Sequence, residues 1–213
     1  MTEWCMTPQT VNAVNMPMQN AINFPAAYLQ APNFDINGSD AANHGAIGST
    51  IGHEISHSFD HTGAMIDSKD ELRNWWTKED LMPFQKSAKA LADQFSSYKP
   101  FPDLAVNGEQ TLDENMADLT GLMAAYDAYR SAMKQKGMSP TKETDQEFFM
   151  ANAYKYRVKM RDEILRSAIV GDGHAPVQYR ALTVRNLDSG YNDFNVQSDQ
   201  QLYLAPNERV RIW

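Results

Sequence analysis

The stretch His53-Glu54-Ile55-Ser56-His57 decides how the rest of the chain is understood. On a helix, side chains at i and i+4 stand one above the other on the same face, so both imidazoles can reach one metal ion. Glu54 stands about 100° round the helix from His53, which places it beside that ion, where a general base for an activated water is needed. Two histidines and a carboxylate in this order read as part of a zinc hydrolase site.

Working outward, Ser39 or Asp40 is placed to cap the helix, which is expected to run through His57 and end near Gly63. Gly45, Gly48 and Gly52 recur along it. Each mid-helix glycine costs about 0.5–1 kcal/mol relative to alanine, so the stripe predicts close approach of a neighbouring element in preference to an irregular helix start. Ile47, Ile51 and Ile55, at i, i+4 and i+8, are expected to face the core.

A zinc site normally takes three protein ligands and keeps one position open. A third histidine six residues after His57 would complete one known pattern, but that position is Gly63. His61 falls at the expected fraying end of the helix and is assigned to the surface or to a supporting position. The segment Thr111-Leu112-Asp113-Glu114-Asn115-Met116-Ala117-Asp118 offers more, because Glu114 and Asp118 share a helix face. Glu114 could complete the ligand set, and Asp118 could accept the free ring N–H of a ligand histidine. Thr111 followed three residues later by Glu114 is equally a capping box, and the segment taken alone favours the cap.

Composition narrows the class. The 213 residues are 42% hydrophobic and 22% charged, enough for one sizeable core of ordinary globular make-up. A formal net charge of -8 and the lack of a Lys/Arg cluster argue against nucleic acid as a partner. Cys5 is the only cysteine, so an intrachain disulfide and a cysteine zinc cage are both excluded, and any metal must use histidine and carboxylate. Neither a signal peptide nor eighteen consecutive apolar residues is found in this chain. Nothing in it sets an oligomeric state.

The remaining chain divides into a proline-punctuated beginning (9–34) that reads as short strands and turns, helices near 74–98, 112–137 and 144–167, and a strand-and-loop end. Phe148, Phe149, Tyr154 and Tyr156 could border a pocket, although their helical spacing favours the core.

Taken together, His53-Glu54-x-x-His57 and Glu114-Asn115-x-Ala117-Asp118 resemble the gluzincin arrangement of the neprilysin/endothelin-converting enzyme family of zinc endopeptidases. Further segments carry the resemblance: Val11-Asn12-Ala13 with Phe24-Pro25-Ala26, the run Phe59 to Gly63, Trp75-Trp76, Asp172-x-His174-x-Pro176-x-x-x-Arg180, and the closing Arg209-Val210-Arg211-Ile212-Trp213. The ordered set covers nearly the whole chain and is far more specific than a lone HExxH.

The resemblance implies an α+β, mostly α, thermolysin-like fold with a small N-terminal sheet and an HExxH helix. It implies one Zn2+ per chain, held by His53, His57 and Glu114, and peptide substrates. Glu54 would be the general base, and His174, oriented by Asp172, would donate to the developing oxyanion. Arg180 would bind a substrate carbonyl on the leaving-group side, and Asn12 and Ala13 would hold an extended peptide. Tyr156 stands where the family pattern leads to a tryptophan, which leaves the leaving-side pocket open. Residues 1–213 would form one catalytic domain, the C-terminal portion of a longer architecture whose preceding helical cap is missing here. The single cysteine, where animal members of the family rely on several disulfides, points to a bacterial type of relative, and the resemblance implies an extracytoplasmic setting. A non-catalytic peptide- or metal-binding domain is the competing expectation.

Overall fold

The computed structural model describes residues 4–69 and 71–212. Residues 14 to 23 form a hairpin, β1 (Val14–Met16) antiparallel to β2 (Ala21–Asn23), with Val14 opposite Asn23 and Met16 opposite Ala21. Pro17 opens the connecting turn and Asn20 closes it at φ 43°, a left-handed conformation that asparagine accepts more readily than most residues. Asn15 ties the hairpin to the HExxH helix, its amide donating to the Glu54 carbonyl (2.6 Å) and to Ser58 Oγ (3.0 Å).

The HExxH helix starts as α1 (Asp40–Asn43), capped by Ser39, whose hydroxyl accepts the Ala42 N–H at 3.0 Å. It passes through a π turn (His44–Gly48) into α2 (Ser49–Ser56). Both the close approach and the irregularity are present. A Cβ on Gly45 would fall 2.0 Å from the Phe148 carbonyl oxygen, and one on Gly52 would fall 2.7 Å from that of Gly121. The helix stops at Ser56 rather than near Gly63. Asp60 Oδ1 accepts the N–H groups of Thr62 and Gly63 (2.9 and 2.8 Å), forming a turn that competes with further helix.

The isoleucine stripe does not face the core. Ile51 and Ile55 are 39% and 49% exposed, and Ile47 is only partly buried. The inward face of α2 instead carries Ser49, Gly52, His53 and Ser56, because a backbone this close to its neighbour leaves no room for branched side chains.

That neighbour is α4 (Leu112–Gln135), the central helix, with Met116, Leu119, Leu122 and Tyr129 almost fully buried. On one side α3 (Lys78–Ser96) brings Phe84, Leu91 and Phe95 into the same core. On the other, α5 (Lys142–Lys155) stacks Phe148 on Tyr129 and Phe149 on Tyr126. Phe148 and Phe149 are therefore core residues. Tyr154 is exposed under Arg157, and only Tyr156 reaches the cleft.

The helix expected over 144–167 is two helices. α5 ends at Lys155, and α6 (Asp162–Gly171) begins after a bend, with Asp162 and Glu163 in a first turn that favours negative charge. At the break, Tyr156 gives its hydroxyl to buried Asp118 (3.0 Å). The end of the chain is also helical rather than strand-like: α7 (Val177–Ala181), a 3₁₀ turn (Leu182–Asn186) and α8 (Asp188–Phe194) precede a tail that buries Val210 and Ile212. Trp213 lies outside the described residues. Among the described residues the chain is thus mostly helical with one two-stranded sheet, and no helix there is long and apolar enough to cross a membrane.

Candidate metal centre and active-site cleft

The α2–α4 crossing builds the site. Gly52 and Gly121 meet at the contact, where a Cβ on Gly121 would lie 2.4 Å from the His53 backbone nitrogen. This approach carries the first turns of α4 against the histidines of α2. Glu114 Oε2 lies 3.2 Å from His53 Nε2, and Glu114 Oε1 lies 3.6 Å from His57 Nε2. Among the described residues, His53, His57 and Glu114 form the one grouping of metal-binding types whose donor atoms all fall within 4.8 Å of one another.

The capping box at Thr111 does not form. Its hydroxyl donates to the Asn107 carbonyl (3.1 Å) and accepts from the Asn115 amide (2.8 Å), leaving Glu114 turned toward the histidines.

Both imidazoles are oriented from behind. His53 Nδ1 donates to Asp118 Oδ1 (2.9 Å) and His57 Nδ1 to Asp60 Oδ2 (2.6 Å). Ionised carboxylates only accept, so these contacts put the ring protons on Nδ1 and turn both Nε2 lone pairs inward. The two Nε2 atoms are 3.0 Å apart, and Glu114 Oε2 is buried beside them, 3.2 Å from His53 Nε2. Converging lone pairs beside a carboxylate repel one another unless a cation sits among them, so this donor set fits a metal ion.

Without metal, a proton fills that role. Burial disfavours the His53 imidazolium, but hydrogen bonds to Asp118 and Glu114 outweigh it and push its pKa up to about 9. Burial also works against the Glu114 carboxylate, yet His174 and His53 hold it well below the usual carboxylate range.

Glu54 is buried beside the pair, on the cleft, and burial raises its pKa. Asp118 would likewise be raised by burial, but the Arg180 guanidinium holds it well below its ordinary value. Arg180 Nε and Nη2 bond the two Asp118 oxygens at 2.7 and 2.8 Å, and Arg180 also lines the cleft. His174 Nδ1 lies 2.9 Å from Asp172 Oδ1, with Nε2 3.0 Å from Glu114 Oε2. The Glu114 contact raises the His174 pKa, which favours an imidazolium able to donate into the site.

Asn12 and Ala13 border the same cleft, of about 610 Å³, in the irregular segment just before β1. His61 stands apart from it on the surface, its backbone N–H donating to Asp113 (3.2 Å).

The structure adds residues that the motif left out. Asp60 orients His57 as Asp118 orients His53, and a carboxylate three residues after the second histidine of the motif was a usable signal. Asn15, Lys155 and the Tyr156 hydroxyl depend on contacts between distant segments, which helical spacing does not encode.

The model of peptidase family M13 matches residues 12–210. The chain belongs to this family. Its M13 relatives include the neutral endopeptidase of Lactobacillus helveticus, 37% identical over 99% of this chain, and neprilysin-3 of Drosophila melanogaster, 36% identical over all of it. Among solved structures, the chain superposes on the inhibitor complex of the Mycobacterium tuberculosis zinc metalloprotease Zmp1 with TM-score 0.93 and 41% identity, over 99% of this chain and 34% of that one. PepO from Lactobacillus rhamnosis gives TM-score 0.90 and 39% identity, again over 99% of this chain and 32% of that one. The chain spans 31% and 28% of the two curated relatives. Membership in a metallopeptidase family implies a metal, and a His/His/Glu grouping is present in this chain.

Proposed function

We propose that this M13 chain carries the catalytic site of a zinc-dependent endopeptidase acting on peptides. The observation that supports this best is the pair of Nε2 atoms 3.0 Å apart, each ring fixed by its own carboxylate, with Glu114 alongside. His53, His57 and Glu114 would hold the metal. A bound zinc supplies Lewis acidity toward a carbonyl oxygen and toward water.

The chain's own groups provide the rest. Glu54, raised by burial, takes a proton from water and passes it to the departing amine. His174, whose pKa the neighbouring Glu114 and Asp172 carboxylates raise, donates to the carbonyl oxygen as negative charge builds there, and Asp172 holds the ring. Arg180, fixed by Asp118, offers its remaining N–H groups to a backbone carbonyl on the leaving-group side. Asn12, Ala13 and β1 give an extended peptide a backbone edge to pair with, and such binding tolerates varied sequence. An extracytoplasmic setting accompanies this proposal through the family resemblance.

Cleavage of an internally quenched peptide by zinc-loaded protein, compared with Glu54→Gln, tests the proposal. Turnover that disappears in the variant while zinc stays bound is expected. Zinc binding with no wild-type turnover would favour the second possibility, a peptide-binding module. The chain's span of about a third of its solved relatives gives that alternative its footing.

A further inference from the structure

One end of the cleft is polar in a way that the proposed chemistry does not use. Lys155, the last residue of α5, turns its ammonium onto α2, donating to Ser49 Oγ (2.7 Å) and Thr50 Oγ1 (3.1 Å). Ser49 also accepts from the Asn152 amide (2.8 Å), and Thr50 shares a hydrogen bond with the Tyr28 hydroxyl (3.0 Å). The ammonium stands 4.9 Å from the centre of the Tyr156 ring, and Arg180 approaches that ring at 5.0 Å.

Tyr28, Asn33, Thr50, Lys155 and Tyr156 all line the cleft that holds Glu54. Every one has a polar group, so an aliphatic side chain entering here would strip water from them and return no hydrogen bond. An ammonium has three donors, of which the two hydroxyls take two. No carboxylate among the described residues forms an ion pair with it. Burial accordingly draws the Lys155 pKa down to about 7, despite Asp118 and Glu54 at longer range.

Position along the cleft follows from α2. Thr50 lies about one helical turn, roughly 5–6 Å, before Glu54. An extended peptide advances about 3.3 Å per residue with alternating side chains, so a side chain next to the scissile bond can span that offset. Arg180 and Tyr156 put this end on the leaving-group side, a placement that rests on the role proposed above for Arg180.

We propose that Lys155 is a specificity-determining residue, its ammonium receiving the carboxylate of a Glu or Asp side chain immediately after the scissile bond. The preferred substrates are then peptides with an acidic residue at that position. Because the chain's net charge of -8 repels acidic peptides at long range, this recognition is local to the pocket.

The test uses the full-length zinc-loaded protein and peptides differing only in the residue after the cleaved bond: Glu, Gln, Leu or Lys. A buried charge-assisted hydrogen bond predicts kcat/KM about tenfold or more higher for Glu than for Gln or Leu. Lys155→Met is expected to abolish that ratio, Lys155→Arg to keep most of it, and Lys155→Glu to turn the preference toward Lys. Calorimetric binding of the same peptides to zinc-loaded Glu54→Gln reads the preference without turnover. Leu or Gln peptides used as well as Glu by the wild type, or a ratio unchanged in Lys155→Met, would overturn the assignment while leaving the peptidase intact. If no peptide is cleaved but Glu peptides bind selectively, the pocket assignment stands and the peptidase proposal falls. If none is cleaved or bound, both fall.

Discussion

Arg180 holds Asp118 through two near-parallel hydrogen bonds of 2.7 and 2.8 Å, while Asp118 Oδ1 also accepts the ring N–H of His53. The proposed substrate arginine and the proposed metal ligand therefore share one buried carboxylate. Removing the guanidinium strands that charge. Arg180→Met is expected to destabilise the fold by about 3–5 kcal/mol, the range for breaking a buried pair. It should also weaken zinc binding, because Asp118 then takes up a proton more readily and releases the His53 tautomer. Thermal unfolding and competitive zinc titration check the two effects separately.

Asp60 has the same duty for His57, at 2.6 Å. Asp60→Asn retains a polar group able to reach the turn but lacks the charge. Zinc affinity is expected to fall about 10- to 100-fold, as when other carboxylate partners of ligand histidines are lost. An unchanged zinc Kd would show that His57 needs no such support.

The crossing of α2 and α4 gives a steric prediction. Gly121→Ala places a methyl 2.4 Å from the His53 nitrogen, against backbone that cannot yield cheaply. Overpacking of this kind costs about 1–3 kcal/mol, and here it also moves Glu114 away from the histidines. Both the melting temperature and zinc content should drop. Gly171→Ala, with open space around it, serves as the control.

For the metal-free protein the pKa of His53 has a definite sign. Its folded value, about 9, lies above the unfolded value near 6.5. The stabilisation is therefore complete below about pH 6.5 and is lost as pH rises through about 9. With chelator present, melting temperature should decline over that window, and the decline should shrink in His53→Asn. Zinc competes with the proton for the same nitrogen, so the stabilisation that zinc adds should grow as pH rises.

How much of this the sequence disclosed depends on the range of the contacts. His53 with His57, and Glu114 with Asp118, were legible because helical spacing alone puts each pair on one face. The glycine stripe announced a close neighbour, but not which one, since Gly121 lies on a distant helix. The isoleucine stripe misled for the same reason: periodicity shows that residues share a face, not which way it points, and the close approach of α4 turned this one outward. The bend after Lys155 was hidden because Tyr156 and Lys155 are drawn to Asp118, Ser49 and Thr50, partners far away in the chain. Asp60 was within reach of inspection, three residues beyond His57.

The central claim is that His53, His57 and Glu114 together hold zinc, and a crystallographic anomalous difference map at the zinc edge tests it most directly. The account predicts a single strong peak at about 2.0–2.2 Å from His53 Nε2, His57 Nε2 and a Glu114 oxygen, with Glu54 beside it and unbound. A peak elsewhere, or full zinc occupancy of this site in Glu114→Ala, would contradict it.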